Sequence, residues 1–192
     1  MSTTHRSAVI PSPVLGMVIF IATEIMFFAG LVSTYLVIRA GIAFWPPIGQ
    51  PRLPVEATAF NTLVLLMSGV TAWLSGRSFA DGQTARMRRL FGLTVFLGVF
   101  FVLFQGYEWI QLINFGLTLS GESGVYGGLF YIIIGAHALH VIAAVCLMVY
   151  IWFRLPVLIS GEGDSSVFGA ARLFWYFVVA VWPVLYGLVY FY

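Results

Sequence analysis

Five long apolar stretches constrain the fold of this chain more than any other feature of its sequence. They lie at about residues 14–38, 57–76, 90–113, 126–153 and 171–191, and each is long enough to cross a bilayer core, which takes roughly 20 residues as a helix. Only 8% of the 192 residues are charged, whereas 61% are hydrophobic, so a soluble fold could not bury the apolar surface. We therefore predict an all-α integral membrane protein, a single membrane domain over residues 1–192 folded as a five-helix transmembrane bundle.

The arginines predict the orientation of the bundle. All nine cationic residues are arginine, and loops rich in positive charge are retained in the cytoplasm. Seven arginines flank one predicted side of the membrane and two flank the other, which places the N-terminus in the cytoplasm and the C-terminus outside. The net charge of only +2 gives no basis for binding nucleic acid. The two groups are Arg6, Arg77, Arg86, Arg88, Arg89, Arg154 and Arg172, against Arg39 and Arg52.

Four ionisable side chains interrupt the predicted spans, and such groups are functional candidates because they are costly to place in a membrane. Glu24 falls near the middle of the first span, and at 1.5 Å per residue His137 and His140 reach a comparable depth in the fourth. We therefore expect a contact between a glutamate and a histidine across two helices. Glu108 lies nearer the outer end of the third span, with Gln105 on the same helical face, and we expect it to meet water or a headgroup.

Several interpretations of these polar residues remain open. They could form inter-helix hydrogen bonds, worth roughly 0.6–2 kcal/mol each, and Glu24 could equally serve a proton or lipid role. A carboxylate-bridged metal pair requires Glu-x-x-His repeats, which this sequence lacks, so we expect no metal in this chain. A lone cysteine, Cys146, excludes a disulfide framework and a paired-cysteine metal site.

Cations and aromatic residues near the span ends are candidates for binding lipid headgroups. Arg77, Arg86, Arg88 and Arg89 cluster in the segment from Gly76 to Arg89, which we predict to be a loop. Such a cluster either holds anionic lipid, at about 1 kcal/mol per cation, or is a solvated loop that sets the topology. Trp45, after the first span, is a further headgroup candidate.

Three separated motifs resemble subunit III of the haem-copper oxidases that use cytochrome c or quinol. They are Thr23 to Gly30 (TEIMFFAG), Phe104 to Trp109 (FQGYEW) and Gly135 to Val141 (GAHALHV). Five spans match the shorter, bacterial form of that family. In one motif of the last span the sequence departs from the family, which usually reads Trp-His-Phe-Val-Asp; Tyr176 stands at the histidine and Val179 at the aspartate, so any hydrogen-bond network there must be rewired.

The resemblance implies an accessory subunit in the bacterial inner membrane, part of a proton-pumping complex that reduces oxygen to water. It implies contact with subunit I, which holds haems and copper, and with subunit II and structural phospholipids. The chain itself would carry no cofactor and would not be catalytic alone. Glu24 matches the family's carbodiimide-reactive buried carboxylate, while Glu108, His137 and His140 match its other intramembrane polar positions.

Two other classes of protein remain as alternatives. One is a small transporter or proton channel that uses Glu24, His137 and His140 as a relay, although the chain shows no internal repeat of the kind that transporters commonly have. The other is a membrane-bound metalloenzyme.

Overall fold

The computed structural model describes residues 11–45, 53–117, 124–160 and 163–191, and these residues form five long helices. All five are long and apolar enough to span a membrane, which confirms the predicted fold class. The described residues contain no strand. The helices are α1 (Ser12–Ala40), α2 (Val55–Ala80), α3 (Thr84–Asn114), α4 (Gly124–Ile159) and α5 (Ser165–Tyr186), and a π-helical turn (Gly187–Phe191) follows α5.

The helices extend beyond the apolar stretches, and this corrects the loop predicted from Gly76 to Arg89. Helices α2 and α3 take up most of the segment from Gly76 to Arg89, leaving only residues 81–83 as a turn in which Gly82 has a φ of +71°. Helix α4 likewise continues through Pro156 to Ile159. Hydropathy marks only the part of a helix that lies in hydrocarbon, whereas backbone hydrogen bonding continues into the polar layer beyond it.

Helix α5 holds the bundle together. It packs against α1, α2 and α4, while α2 and α3 form a closely packed antiparallel pair. Its first turn is capped by the carboxylate of Asp164, which accepts a hydrogen bond from the backbone N–H of Ser166 at 2.9 Å. Trp175 and Trp182 of α5 are both fully buried, so two large aromatic rings fill the space between the helices.

Helix α1 is peripheral in comparison. It packs on α5 and less extensively on α4, and Phe28 and Tyr35 are its only buried residues. The Tyr35 hydroxyl donates a hydrogen bond to the backbone carbonyl of Leu188 at 3.2 Å. Large apolar side chains such as Met26, 76% exposed, cover the outer face of α1, as expected for a surface that meets lipid or another apolar protein surface.

Glycines allow aromatic rings of one helix to lie directly against the backbone of the next. A Cβ atom added at Gly98 of α3 would lie 2.8 Å from the Trp175 ring and 3.2 Å from a methyl group of Val145. At Gly92 an added Cβ would lie 2.7 Å from the Trp152 ring. Close approach of this kind stabilises helix association in membranes, where expulsion from water does not contribute.

We predict that Gly98→Ala destabilises the bundle by about 1–3 kcal/mol, because the added methyl group overpacks the contact with Trp175. The matched control is Gly106→Ala on the same helix, where an added Cβ meets nothing within 4 Å and alanine favours the helix. Apparent melting temperatures of both purified variants in the same detergent would test this. Equal melting temperatures would show that the ring moves aside without cost.

Candidate functional site

Glu24 of α1 and His140 of α4 form an intramembrane acid–histidine pair. Glu24 Oε2 lies 2.9 Å from His140 Nε2, which confirms the predicted contact across these helices. The side chains are 18% and 15% exposed, so the pair lies between the helices near the surface of the bundle. The edge of the Phe28 ring meets the imidazole, with ring centroids 5.3 Å apart.

The second imidazole nitrogen determines how this pair holds its proton. His140 Nδ1 lies 2.7 Å from the backbone carbonyl oxygen of Ala136, which can only accept, so Nδ1 carries a hydrogen. One further proton then lies between Nε2 and the carboxyl group of Glu24. Whether it resides on nitrogen or on oxygen, the two side chains together carry no net charge, which makes the pair tolerable in a membrane.

His137 is placed differently, although it lies only three residues before His140. Its ring is 1% exposed and stacks on the Trp182 indole, with centroids 5.1 Å apart. Among the described residues neither ring nitrogen has a hydrogen-bond partner. The structure therefore joins Glu24 to His140 and leaves His137 out of that pair.

Glu108 belongs to a separate network between α2 and α3. The carboxylate is 4% exposed, so the expectation that it meets water or a headgroup is wrong in this structure. Thr58 Oγ1 lies 3.2 and 3.1 Å from its two oxygens, and Gln105 Nε2 donates to Oε2 at 3.0 Å. Thr58 comes from the start of α2 and covers the end of α3, which the sequence of α3 alone could not reveal.

Further polar groups of α2 extend this network toward the centre of the bundle. The Asn61 amide donates to the carbonyl oxygen of Phe101 at 3.2 Å and approaches Gln105 Oε1 at 3.4 Å. The Trp182 indole N–H donates to Thr62 Oγ1 at 2.8 Å. The sequence analysis did not predict a role for the buried threonine and asparagine side chains of α2. Their regular spacing on one helical face could have indicated it.

Arg172 is the most unexpected residue in the structure, because we counted it as a loop cation and it lies inside α5. Its Nε donates to the carbonyl oxygen of Ala72 at 3.1 Å and its Nη2 to the hydroxyl of Tyr176 at 2.7 Å. Its guanidinium occupies the space at Gly76, where an added Cβ would clash with it. Tyr176 therefore supplies a hydrogen-bond acceptor for an arginine of its own helix.

Val179, the second residue that departs from the family motif, fills space and forms no side-chain hydrogen bond. Val179 is 8% exposed, and one of its methyl groups lies 3.1 Å from the position that a Cβ would take at Gly69. Helices α2 and α5 consequently touch through apolar atoms where the family's aspartate would stand. Together Tyr176 and Val179 replace a polar pair by a hydroxyl bonded to arginine and an apolar contact.

The other arginine candidates lie on helix ends rather than in a loop. Arg86, Arg88 and Arg89 are exposed on the first turns of α3, and Arg77 is exposed near the end of α2. Trp45 lies apart from them, packed edge to face on Tyr35 and Tyr126 with centroids 5.7 and 5.0 Å apart. Binding of lipid headgroups by these five residues therefore stays a prediction.

The acidic and histidine side chains do not converge on a common centre. In the four described segments, no three His, Cys, Asp or Glu side chains come together in a way that could hold a metal ion. Glu108 is bonded to Thr58 and Gln105, and Glu24 to His140. The described part of the chain thus offers no donor set for the metalloenzyme alternative.

Five membrane-spanning helices joined by internal polar pairs define the chain as a multi-pass helical membrane protein. The family model described as cytochrome c oxidase subunit III matches residues 1–192, and the chain therefore belongs to that family. It is 33% identical to "Cytochrome c oxidase subunit 3" of Corynebacterium diphtheriae over 100% of this chain and 95% of that protein. It is 32% identical to the elephant protein of the same name, from Loxodonta africana, over 97% of this chain and 72% of that protein.

We predict that Glu108→Leu lowers the free energy of unfolding by about 1–3 kcal/mol, because the buried Gln105 amide loses its acceptor. Glu108→Gln should be close to neutral, since an amide keeps an oxygen for Gln105 and a donor for the Thr58 hydroxyl. Glu56→Leu, at an exposed glutamate in the first turn of α2, is the control. Apparent melting temperatures in detergent check the order of the variants, and a neutral Glu108→Leu would contradict it.

Proposed function

We propose that this chain is the accessory third subunit of a proton-pumping haem-copper oxidase in a bacterial inner membrane. Membership of the subunit III family makes it a subunit of an oxidoreductase complex. The proposal adds that it binds the side of subunit I, lies near subunit II, and holds structural phospholipids. It also adds that the chain is not catalytic alone and that haems and copper reside in the partner subunits. The whole-chain family match carries this proposal.

The surface of α1 supports a role in assembly. This helix presents a broad apolar face, with Val37 73% and Ile25 54% exposed, and it packs mainly on α5. A face of this kind is equally suited to lipid and to another transmembrane helix. Because Glu24 lies on the same helix, a neighbouring subunit that covers α1 would also cover the acid–histidine pair.

The Glu24–His140 pair suits the exchange of a single proton within the assembled complex. The pair shares one proton between a carboxyl oxygen and an imidazole nitrogen 2.9 Å apart, and it lies at the boundary of α1 and α4. Moving that proton between the two groups does not change their total charge, so it needs no counter-ion. We propose that Glu24 is the acid that exchanges protons and that His140 is its partner.

The transporter or proton-channel alternative finds less support in the geometry. A relay through Glu24, His137 and His140 requires hydrogen bonds along all three side chains. His137 instead stacks on Trp182 with both nitrogens lacking a partner among the described residues. The pair alone does not form a path from one side of the bundle to the other.

Purification from the native membrane tests the accessory role. We expect the tagged chain, extracted in mild detergent, to bring down haem and copper together with a larger membrane subunit. A harsher detergent should remove those cofactors while the tagged chain remains on the resin. Membranes without the tag are the control. A colourless, metal-free chain that is stable alone in mild detergent would contradict the assignment.

Variants of the pair test its role in assembly. Glu24→Leu should reduce the yield of assembled complex, since His140 Nε2 is left unpaired at a cost of about 1–3 kcal/mol. Glu24→Gln should assemble normally because its amide can donate to Nε2. Adding His140→Leu to Glu24→Leu should cost less than the sum of the single changes. Met26→Leu, on the exposed face of α1, is the control, and strictly additive losses would disprove the coupling.

A further inference from the structure

The structure assigns a binding site for one anionic phospholipid to the outer surface of the α2–α5 contact. We propose that the lipid phosphate binds Arg172 and the Tyr176 hydroxyl, and that an acyl chain lies in the apolar trough beside them. The site depends on the membrane location of the chain and not on its place in an oxidase. It gives a position to one of the structural lipids of the proposed function.

Arg172 is a cation without an anionic partner among the described residues. Its hydrogen bonds go to a backbone carbonyl of Ala72 and to the Tyr176 hydroxyl, both uncharged. The rings of Phe168 and Tyr176 flank the guanidinium at 5.4 and 5.6 Å, which orients the charge without neutralising it. A phosphate group would supply the missing negative charge.

Tyr176 links this charge to the trough. Its oxygen accepts a hydrogen bond from Arg172, so the hydroxyl hydrogen is available to donate to a phosphate oxygen. The same ring forms part of the wall of the trough. Arg77 follows Gly76, the residue against which Arg172 lies, and its guanidinium sits 5.8 Å above the Trp73 ring. A second cation therefore flanks the headgroup position.

The trough itself is apolar and measures about 620 Å³. Its floor is the contact between Gly69 of α2 and Val179 of α5. Its α2 wall is exposed, with Val70 49% and Trp73 52% accessible. The lining residues are Leu66, Gly69, Val70, Trp73, Tyr176, Val179, Ala180 and Pro183. A polar side chain at position 179, as in the family motif, would disrupt this floor.

The direction of the trough matches that of a lipid. The helices are antiparallel, so Trp73 and Tyr176 lie at the end near the cations and Leu66 and Pro183 lie deeper. Leu66 and Trp73 are seven positions apart on α2, so the trough is about 10 Å long. This length is roughly two thirds of the hydrocarbon depth of one leaflet, which is about 15 Å. The 26 residues of α2 extend about 39 Å, so its ends project beyond the hydrocarbon core and Gly76 lies near the headgroup boundary.

Charge complementarity favours a lipid over a helix of another protein. A transmembrane helix that filled the trough would neutralise Arg172 only if it carried a carboxylate at that one position, and acidic side chains are rare in transmembrane helices. An anionic lipid carries its charge at the headgroup level, where Arg172 and Arg77 end. The apolar part of the same molecule then meets the apolar trough.

Lipid retention tests the site in the tagged protein, purified in mild detergent with any subunits that accompany it. This preparation is reconstituted in nanodiscs that contain equal parts of phosphatidylglycerol and phosphatidylcholine and is then released into detergent. The bound lipid is measured by native mass spectrometry. We expect a preference for phosphatidylglycerol of about fivefold, corresponding to about 1 kcal/mol for one cation. Arg172→Gln should abolish the preference, whereas Arg89→Gln, at an exposed arginine away from the trough, should keep it.

A second pair of variants addresses the trough while leaving the cations intact. Val70→Trp should displace the acyl chain and reduce bound phosphatidylglycerol, whereas Val37→Trp on exposed α1 should not. Equal retention of both lipids by the unchanged protein would overturn the proposal, and so would a preference that survives Arg172→Gln and Val70→Trp. A cross-link from position 70 to another subunit would show that protein fills the trough and would also overturn it. None of these readouts depends on haem or copper, so the proposed function stands or fails separately.

Discussion

The indole of Trp182 is the contact on which the rest of the bundle depends. It donates to Thr62 of α2 at 2.8 Å, meets Phe101 of α3 edge to face at 5.3 Å, and stacks on His137 of α4 at 5.1 Å. One fully buried side chain of α5 thereby joins four helices. In a membrane such packing and hydrogen bonding must supply most of the association energy, because hydrophobic expulsion from water does not act between the helices.

The bilayer also explains how the polar residues are arranged. Carboxyl groups at the depth of the hydrocarbon need partners supplied by the protein. Glu24 finds an imidazole, whereas Glu108 finds a hydroxyl and an amide. In the first arrangement either partner can hold the proton between them, whereas in the second the Gln105 amide donates a hydrogen bond to the Glu108 carboxyl group. The two acids therefore differ in chemistry as well as in position.

The departures from the family motif are connected to each other through space. Tyr176 accepts from Arg172, Arg172 fills the space at Gly76, and Val179 closes on Gly69. These contacts turn a polar stretch of the last helix into a surface with a cation at one end and apolar atoms below it. A single substitution would not have produced this arrangement, since the arginine needs both the hydroxyl acceptor and the glycine opposite.

The sequence by itself determined the number of spans, the family and the contact of Glu24 with a histidine, because hydropathy, motifs and rise per residue depend only on position along the chain. The tertiary structure decided which histidine makes that contact, that Thr58 covers Glu108, and that Arg172 bonds across to α2. These outcomes depend on the rotation of each helix about its own axis. This rotation is set by side chains packed across helices. The weak periodicity of apolar residues in the spans does not predict it.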